Sequence, residues 1–310
     1  MNKVLLIGKG YWGKNWYKTL MDCQTQFQVV DVNVNDSVDQ NGICYYDSLD
    51  KIDKSHFTHA IISTPSETHV QLFNKVKEFI KPEHILIEKP CGSHWIDAEK
   101  VSGCFPGYLQ LHSPAFNYIH NNIDLIGFPH FYKSIRASMG PRIRNGGTIV
   151  EDYLVHDLYL FISLFQPYDD IQIINKTFTN RLKHTGPDSV FVTLYNPEVH
   201  VIGDMFSSWW YPIKERRVII TGSKGSFIWL NDDLYFNSSR YEDLDGIDSF
   251  GNVGHKLIQS NDEKVDLGKK TSMECELENL LTGKFTGSCL YINAVWNLIR
   301  DITQKTRYKF

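Results

Sequence analysis

The first 115 residues alternate short apolar runs with helical patterning, and this alternation restricts the fold more than any other feature of the chain. The runs are Val4 to Gly8, Val29 to Val32, Ala60 to Ser63, Ile85 to Glu88 and Tyr108 to Leu111. Between the third and fourth, Val70, Phe73, Val76 and Ile80 fall on a helical stripe. Repeated β-α-β units must form a mainly parallel sheet with right-handed crossovers. The sequence therefore predicts a doubly wound sheet whose ligand crevice lies beyond the carboxyl ends of its strands.

After about residue 120 the texture changes. A helical pattern runs from Gly146, Gly147 and Thr148 to about Leu164, and closely spaced strand-like stretches follow, among them IQIINKTFT, SVFVTLY and RRVIITG. Their turn signals (NPE, GSKG, NDD) predict an α+β domain with an open, mostly antiparallel sheet. The expected division is a dinucleotide-binding domain over 1–117 and a substrate-binding and oligomerisation domain over 118–310, with the last helix packing back on the first domain.

With 310 residues, 42% of them hydrophobic, the chain is long enough for two ordinary domains. A net charge of −4 without a long basic run gives no footprint for nucleic acid. No secretory pattern precedes the first strand and no apolar run approaches membrane-spanning length, so a cytoplasmic protein without a membrane partner is expected. The six cysteines lack C-x-x-C or zinc-type spacing, which suggests reduced thiols and no metal.

Within the opening stretch VLLIGKGYWGKNW, Gly8, Gly10 and Gly13 form G-x-G-x-x-G between an apolar strand and a helix-compatible segment. A dinucleotide turn needs a tight bend at the first glycine, close backbone approach to pyrophosphate at the second and helix–strand contact at the third. The backbone N–H groups of Tyr11 and Trp12 are candidate phosphate donors, and their side chains candidate covers for the cofactor. Asp31, 18 residues beyond Gly13, stands where a carboxylate accepts the adenosine ribose hydroxyls, with Asn33 as the alternative. No Arg follows closely to pair with a 2′-phosphate, so NAD is expected over NADP.

Two further strand ends, AIISTPSETH at 60–69 and ILIEKP at 85–90, place polar residues toward the same crevice. Ser63, Thr64, Pro65, His69 and the backbone of Glu88 are candidate cofactor contacts, although His69, on the following helix, reads more as structural than catalytic. Lys89 points toward the nicotinamide region. In EDYLVHD at 151–157, helical spacing would set Asp152 and His156 on one face and turn Asp157 about 100° away from His156. His112, Arg136, Asn145, Tyr153 and Trp209 are candidate substrate-pocket residues, with Trp209 equally a core or interface residue.

The order and spacing of GKGYWGKN, VVDVN, IISTPSETH, EKP, SPAF at 113–116, D-x-x-x-H at 152–156 and TGSKGSF at 221–227 resemble the glucose-fructose oxidoreductase/inositol dehydrogenase/rhizopine catabolism (Gfo/Idh/MocA) family, over essentially the whole chain. Within it, the chain looks most like the nucleotide-sugar and amino-sugar branch. The resemblance implies a Rossmann domain, a second domain whose open sheet builds homodimers or homotetramers, and Lys89, Asp152 and His156 as the catalytic group. These residue types suit hydride exchange between nicotinamide and a secondary alcohol or ketone of a sugar, free or nucleotide-linked. His156 exchanges the hydroxyl proton, Lys89 stabilises the developing alkoxide, and Asp152 positions substrate or the other two.

Two departures bear on the substrate. Only 22 residues, 91–112, separate EKP from SPAF, and CFPG interrupts them, so the last Rossmann helix is expected to be short. Glu151 is an extra acid just before Asp152, able to touch substrate or perturb a neighbouring group. Other function classes compatible with the fold are a dinucleotide-binding regulator without turnover and an enzyme that uses transient oxidation for elimination or hydrolysis.

Overall fold

The computed structural model describes residues 2–91, 99–139, 148–181, 186–247, 253–284 and 288–304. The chain divides into two compact units, Met1–Ser113 with Lys270–Arg300 and Pro114–Lys269 with Asp301–Phe310. The expected fold class is the observed one.

The first unit is built on strands β1 (Lys3–Ile7), β2 (Gln26–Val30), β3 (Ser37–Val38), β4 (Cys44–Tyr46), β5 (His59–Ile62), β6 (Ile85–Glu88) and β7 (Phe105–Gly107), ordered β3-β4-β2-β1-β5-β6-β7. All neighbours are parallel except β3 with β4. The strands β5 and β6 are buried at every position and β1 at four of five, as continuous apolar runs covered on both faces should be. Helices α1 (Gly13–Asp22) and α2 (His69–Val76) bury Trp16 and Leu20, and Phe73 and Val76, respectively. Val4 and Leu6, two apart and so on one face of β1, pack with Trp16, Leu20, Phe27, Val29, Leu277 and Leu280.

The last two of these come from a distant helix. Ser272–Thr282 starts at a capping box, with Thr271 Oγ1 accepting from Glu274 N at 3.2 Å and the Glu274 carboxylate accepting from Thr271 N at 2.6 Å. It stops at Gly283 in the left-handed region, at φ 63°.

One strand differs from expectation. The fifth run, Tyr108 to Leu111, forms no strand: Leu109–His112 is a 3₁₀ turn, and β7 is the preceding FPG, from the CFPG read as an interruption. Pro106 is tolerated there because β7 is the sheet's last strand and needs no ladder on its outer side.

The second unit starts with helix α3 (Pro114–Asn121) and strand β8 (Pro129–Met139). A π-helical turn, Val150–Leu154, runs into α4 (Val155–Leu164). The strands β9 (Gln172–Thr179), β10 (Ser189–Asn196), β11 (Val201–Ser208), β12 (Trp210–Gly222), β13 (Gly225–Leu230), β14 (Asp233–Asn237), β15 (Arg240–Ile247), β16 (Val253–Ile258) and β17 (Glu263–Lys264) follow. Eight form one sheet, ordered β17-β14-β13-β12-β8-β11-β10-β9, in which only β8 and β11 are parallel; β15 and β16 pair separately. Phe161 of α4 meets Tyr132 of β8 edge to face, with ring centroids 5.5 Å apart, which fixes α4 on the sheet. Helices α5 (Ser272–Thr282) and α6 (Ser288–Gln304) end the described chain, and no helix among the described residues is long and apolar enough to cross a membrane.

Candidate active site

The glycine turn has the geometry its spacing predicts. Gly8 sits at φ +88°, in the left-handed region, and its N–H donates to Val30 O at 2.8 Å. A side chain at Gly13 would bring its first carbon 2.1 Å from Gly8 O and 2.7 Å from Ser63 Oγ, so α1 can approach the strand ends only without one. At Gly10 the same position meets no atom within 4 Å, leaving the backbone open to a phosphate. Ser63 Oγ donates to Gly8 O at 2.9 Å, tying the β5 end to the turn.

Asp31 directly follows β2, beside this turn. One carboxylate oxygen accepts from Lys9 N at 2.7 Å, and the other from Asn33 N at 2.9 Å and Asn33 Nδ2 at 3.2 Å. The two alternatives for the ribose thus stand together, with Asn33 steadying the Asp31 carboxylate. Both line a cleft of about 480 Å³ with Lys9, Gly10, Lys14, Val34, Ser37, Asp39 and Tyr45.

Sequence reasoning missed six of these residues, Lys9, Lys14, Val34, Ser37, Asp39 and Tyr45, and found no cation near Asp31. The fold supplies two, Lys9 and Lys14. Lys9 Nζ lies 3.6 Å from the Tyr17 ring centroid and bonds the Tyr45 hydroxyl, while Tyr17 donates to Asp39 Oδ2 at 2.5 Å. Burial pulls the Lys9 ammonium below its ordinary range, against the opposing Asp39 charge. The one available signal was Lys9 itself, set between two glycines. Tyr45 and Asp39 lie in a stretch with no clear periodicity.

The remaining expected cofactor residues divide. Thr64 Oγ1 lies 2.7 Å from Thr68 Oγ1, and Pro65 caps the 3₁₀ turn before α2. His69 is buried, with Nδ1 3.0 Å from Pro90 O and Nε2 2.9 Å from Thr64 O, so its ring links the β5 and β6 exits. Tyr11 is 88% exposed at the turn. The Trp12 indole is half-buried and its Nε1–H bonds Glu88, a contact that sequence reasoning did not foresee.

Glu88, expected to act through its backbone, has a buried side chain at the end of β6. It accepts from Trp16 Nε1 at 2.6 Å, from Trp12 Nε1 and from Lys89 N at 3.2 Å. Burial raises its carboxyl to about 7 despite these donors. Lys89 follows directly.

His112, expected in the substrate pocket, is instead fully buried within the first unit, stacked on Phe105 at 5.1 Å between centroids. Its Nδ1 lies 3.1 Å from Asn279 Nδ2 and its Nε2 3.6 Å from Glu276 Oε1. Burial pushes it down to about 3, so it is a neutral core histidine.

In the second unit, Asp152 lies in the π turn and His156 in α4, so the uniform α spacing expected of the pair is broken between them. Asp152 Oδ2 accepts from Trp209 Nε1 at 3.1 Å. Trp209 is buried and meets Tyr153 edge to face at 6.4 Å, while Tyr153 Oη lies 2.9 Å from Ser138 Oγ. Glu151 is not a loose acid: its carboxylate accepts from Thr148 Oγ1 at 2.9 Å, and its N–H donates back at 3.2 Å. Arg136 donates from Nε and Nη2 to the two oxygens of Asp157 at 3.0 and 3.1 Å, both side chains being buried. The bidentate pair commits Arg136 inside the unit, where a substrate contact was expected. Asn145 lies outside the described residues.

A parallel doubly wound sheet with this glycine turn, and an acid directly after the second strand, defines the class of Rossmann dinucleotide-binding domains. Residues 2–106 match the Gfo/Idh/MocA family, described as an oxidoreductase family with an NAD-binding Rossmann fold. The match is to that family's NAD-binding Rossmann segment and does not extend over the second unit.

Similar solved structures extend over both units. UDP-N-acetylglucosamine 3-dehydrogenase GnnA from Acidithiobacillus ferrooxidans superposes with a TM-score of 0.74 at 16% identity, covering 97% of each chain. An oxidoreductase from Agrobacterium radiobacter, solved with NAD+, L-tartaric acid and magnesium, gives 0.70 at 15% identity, covering 98% of this chain and 96% of that one. Levoglucosan dehydrogenase in complex with NADH gives 0.71 at 13% identity, covering 97% and 95%. These likenesses show a shared fold. No curated protein matches the chain in sequence.

Proposed function

We propose that the chain is an NAD(P)-dependent oxidoreductase acting on a secondary alcohol, or the corresponding ketone, of a sugar that can be nucleotide-linked, with NAD as the preferred cofactor. The observation that carries this reading is the Asp31 carboxylate, held by Lys9 N and Asn33 N beside the open Gly10 backbone. The Gly8–Gly13 turn holds the pyrophosphate and Asp31 the adenosine ribose. When bound, the nicotinamide accepts or returns the hydride. A sugar substrate agrees with the names of two fold neighbours, the UDP-N-acetylglucosamine and levoglucosan dehydrogenases.

In this reading Lys89 supplies positive charge to the substrate oxygen as alkoxide character develops, and His156 takes or returns the hydroxyl proton. Asp152, steadied by the Trp209 indole, orients its partners. The chain works in the cytoplasm as a homodimer or homotetramer through its second-unit sheet, where Ile174, Ile202 and Ile213 are exposed; light scattering of the purified protein tests the assembly.

The test of function is a screen of NAD+ and NADP+ with nucleotide-sugars and free polyols, read by absorbance of the reduced nicotinamide and by product analysis. Wild-type turnover is expected with NAD+. Lys89→Ala and His156→Ala should each bind NAD+ and lose turnover by roughly 10²-fold or more. Normal turnover by either variant would overturn its role. Net elimination or hydrolysis without accumulated reduced cofactor would select transient-oxidation chemistry, and binding without turnover of any substrate would select a regulator.

A further inference from the structure

The most unusual chemistry outside the cleft is a carboxyl pair in the core of the first unit. Glu88 ends β6, and Glu276 comes from α5, some 190 residues later in the chain; the two side chains are 8% and 1% exposed. Around Glu88 stand the indole N–H groups of Trp12 and Trp16 from the glycine-turn side and the backbone N–H of Lys89. Around Glu276 stand His112, with Nε2 3.6 Å from Oε1, and the buried Cys91 thiol. Asn279, one turn further along α5, holds the other side of His112 at 3.1 Å.

Two carboxylates cannot both stay ionised in such a place. Each charge loses its hydration, and each opposes the other. The three N–H donors are all on one side, so the surroundings choose which group keeps the charge. We propose that Glu88 carries the single negative charge of the pair while Glu276 stays a neutral acid beside neutral His112, and that the charged Glu88 holds Trp12 of the glycine turn and the backbone of Lys89 in the dinucleotide-binding arrangement.

Glu88 is a positioning residue in this scheme. One carboxylate touches both the phosphate-binding turn and the strand end that carries Lys89, so its protonation weakens its hold on both. A protonated Glu88 loses acceptor capacity toward three fixed N–H groups, and one of its oxygens becomes a donor facing donors. The directions agree: burial raises Glu276, reinforced by the Glu88 charge, and raises Glu88 to about 7, where the indole and backbone N–H groups oppose the rise. The titratable groups facing the pair are Lys89, Cys91 and His112, and burial keeps His112 neutral throughout this range.

This inference rests on the reading that the unit binds a nicotinamide dinucleotide, and its signature is pH-dependent binding without chemistry. Calorimetric titration of the whole protein with NAD+ from pH 6 to 8.5 is expected to show the dissociation constant rising by about tenfold between pH 8 and pH 6, following the ionised fraction of one group near neutrality. Glu88→Gln should bind more weakly at high pH and lose the pH dependence. Trp12→Phe removes one donor to the carboxylate and should move the midpoint upward by roughly half a unit to one unit. Glu276→Gln, which replaces a neutral acid by a neutral amide, should leave the midpoint in place.

In the protein without dinucleotide, intrinsic tryptophan fluorescence should titrate with the wild-type midpoint and not in Glu88→Gln. A flat wild-type profile, an unchanged profile in Glu88→Gln, or a midpoint lowered by Glu276→Gln overturns the assignment. Absence of NAD+ binding at every pH overturns the proposed function instead, and the fluorescence titration still tests the carboxyl pair.

Discussion

Arg136 clasps Asp157 through two hydrogen bonds, of 3.0 and 3.1 Å, and the pair lies buried where β8 meets α4. The pair turns the second half of the His156-Asp157 dipeptide toward the sheet. His156, one position earlier on α4, is thereby rotated away from that contact.

Removing one member of this pair leaves its partner's charge buried. Arg136→Leu should destabilise the protein by roughly 3–5 kcal/mol, whereas Arg136→Met combined with Asp157→Leu should recover most of the loss. Guanidinium unfolding midpoints measure both. An Arg136→Leu protein with wild-type stability and only a raised KM would instead restore Arg136 to the substrate pocket.

Gly13→Ala pushes a methyl group against Gly8 O, 2.1 Å away, and Ser63 Oγ, 2.7 Å away. The helix must move from the strand ends, at a cost of about 1–3 kcal/mol. The thermal midpoint should fall and NAD+ binding should fall with it. Gly10→Ala, whose added carbon meets nothing within 4 Å, should keep the midpoint and lose affinity alone. Thermal melts with and without NAD+ separate the two behaviours.

Asp31→Ala removes the acceptor that Lys9 N and Asn33 N share at the ribose end of the cleft. NAD+ affinity should fall by about tenfold, the loss of a charge-assisted hydrogen bond. NADP+ affinity should fall less or rise, because Lys9 and Lys14 line the same cleft and the opposing carboxylate is gone. Parallel titrations of the two dinucleotides give the ratio; an unchanged ratio would remove Asp31 from cofactor selection.

His59 is buried on β5, stacked on His84 with ring centroids 4.5 Å apart. Burial, then the His84 charge, lowers it to about 4. A histidine lowered in the folded state binds fewer protons there than in the unfolded chain, whose value is about 6.5. Its contribution is therefore present above about pH 6.5 and lost as pH falls toward 4. Urea midpoints should drop across that window, and His59→Asn should flatten the slope.

The sequence alone determined the sheet and its turn. Continuous apolar runs such as Val4–Ile7 suit only strands covered on both faces, and Gly8, Gly10 and Gly13 act through backbone geometry that neighbouring residues already specify. The location of Asp31 followed too, since a strand end is fixed by its own run. The Trp12–Glu88 contact, the burial of His112 against Glu276, the Lys9–Tyr45 contact and the Arg136–Asp157 pair were decided only by the tertiary structure. Each joins residues 21 to 164 positions apart, and a local pattern records which face a side chain takes, not which distant group meets it there. The FPG strand belongs with them: Pro106 argues against a strand locally, and only its place at the sheet edge permits one.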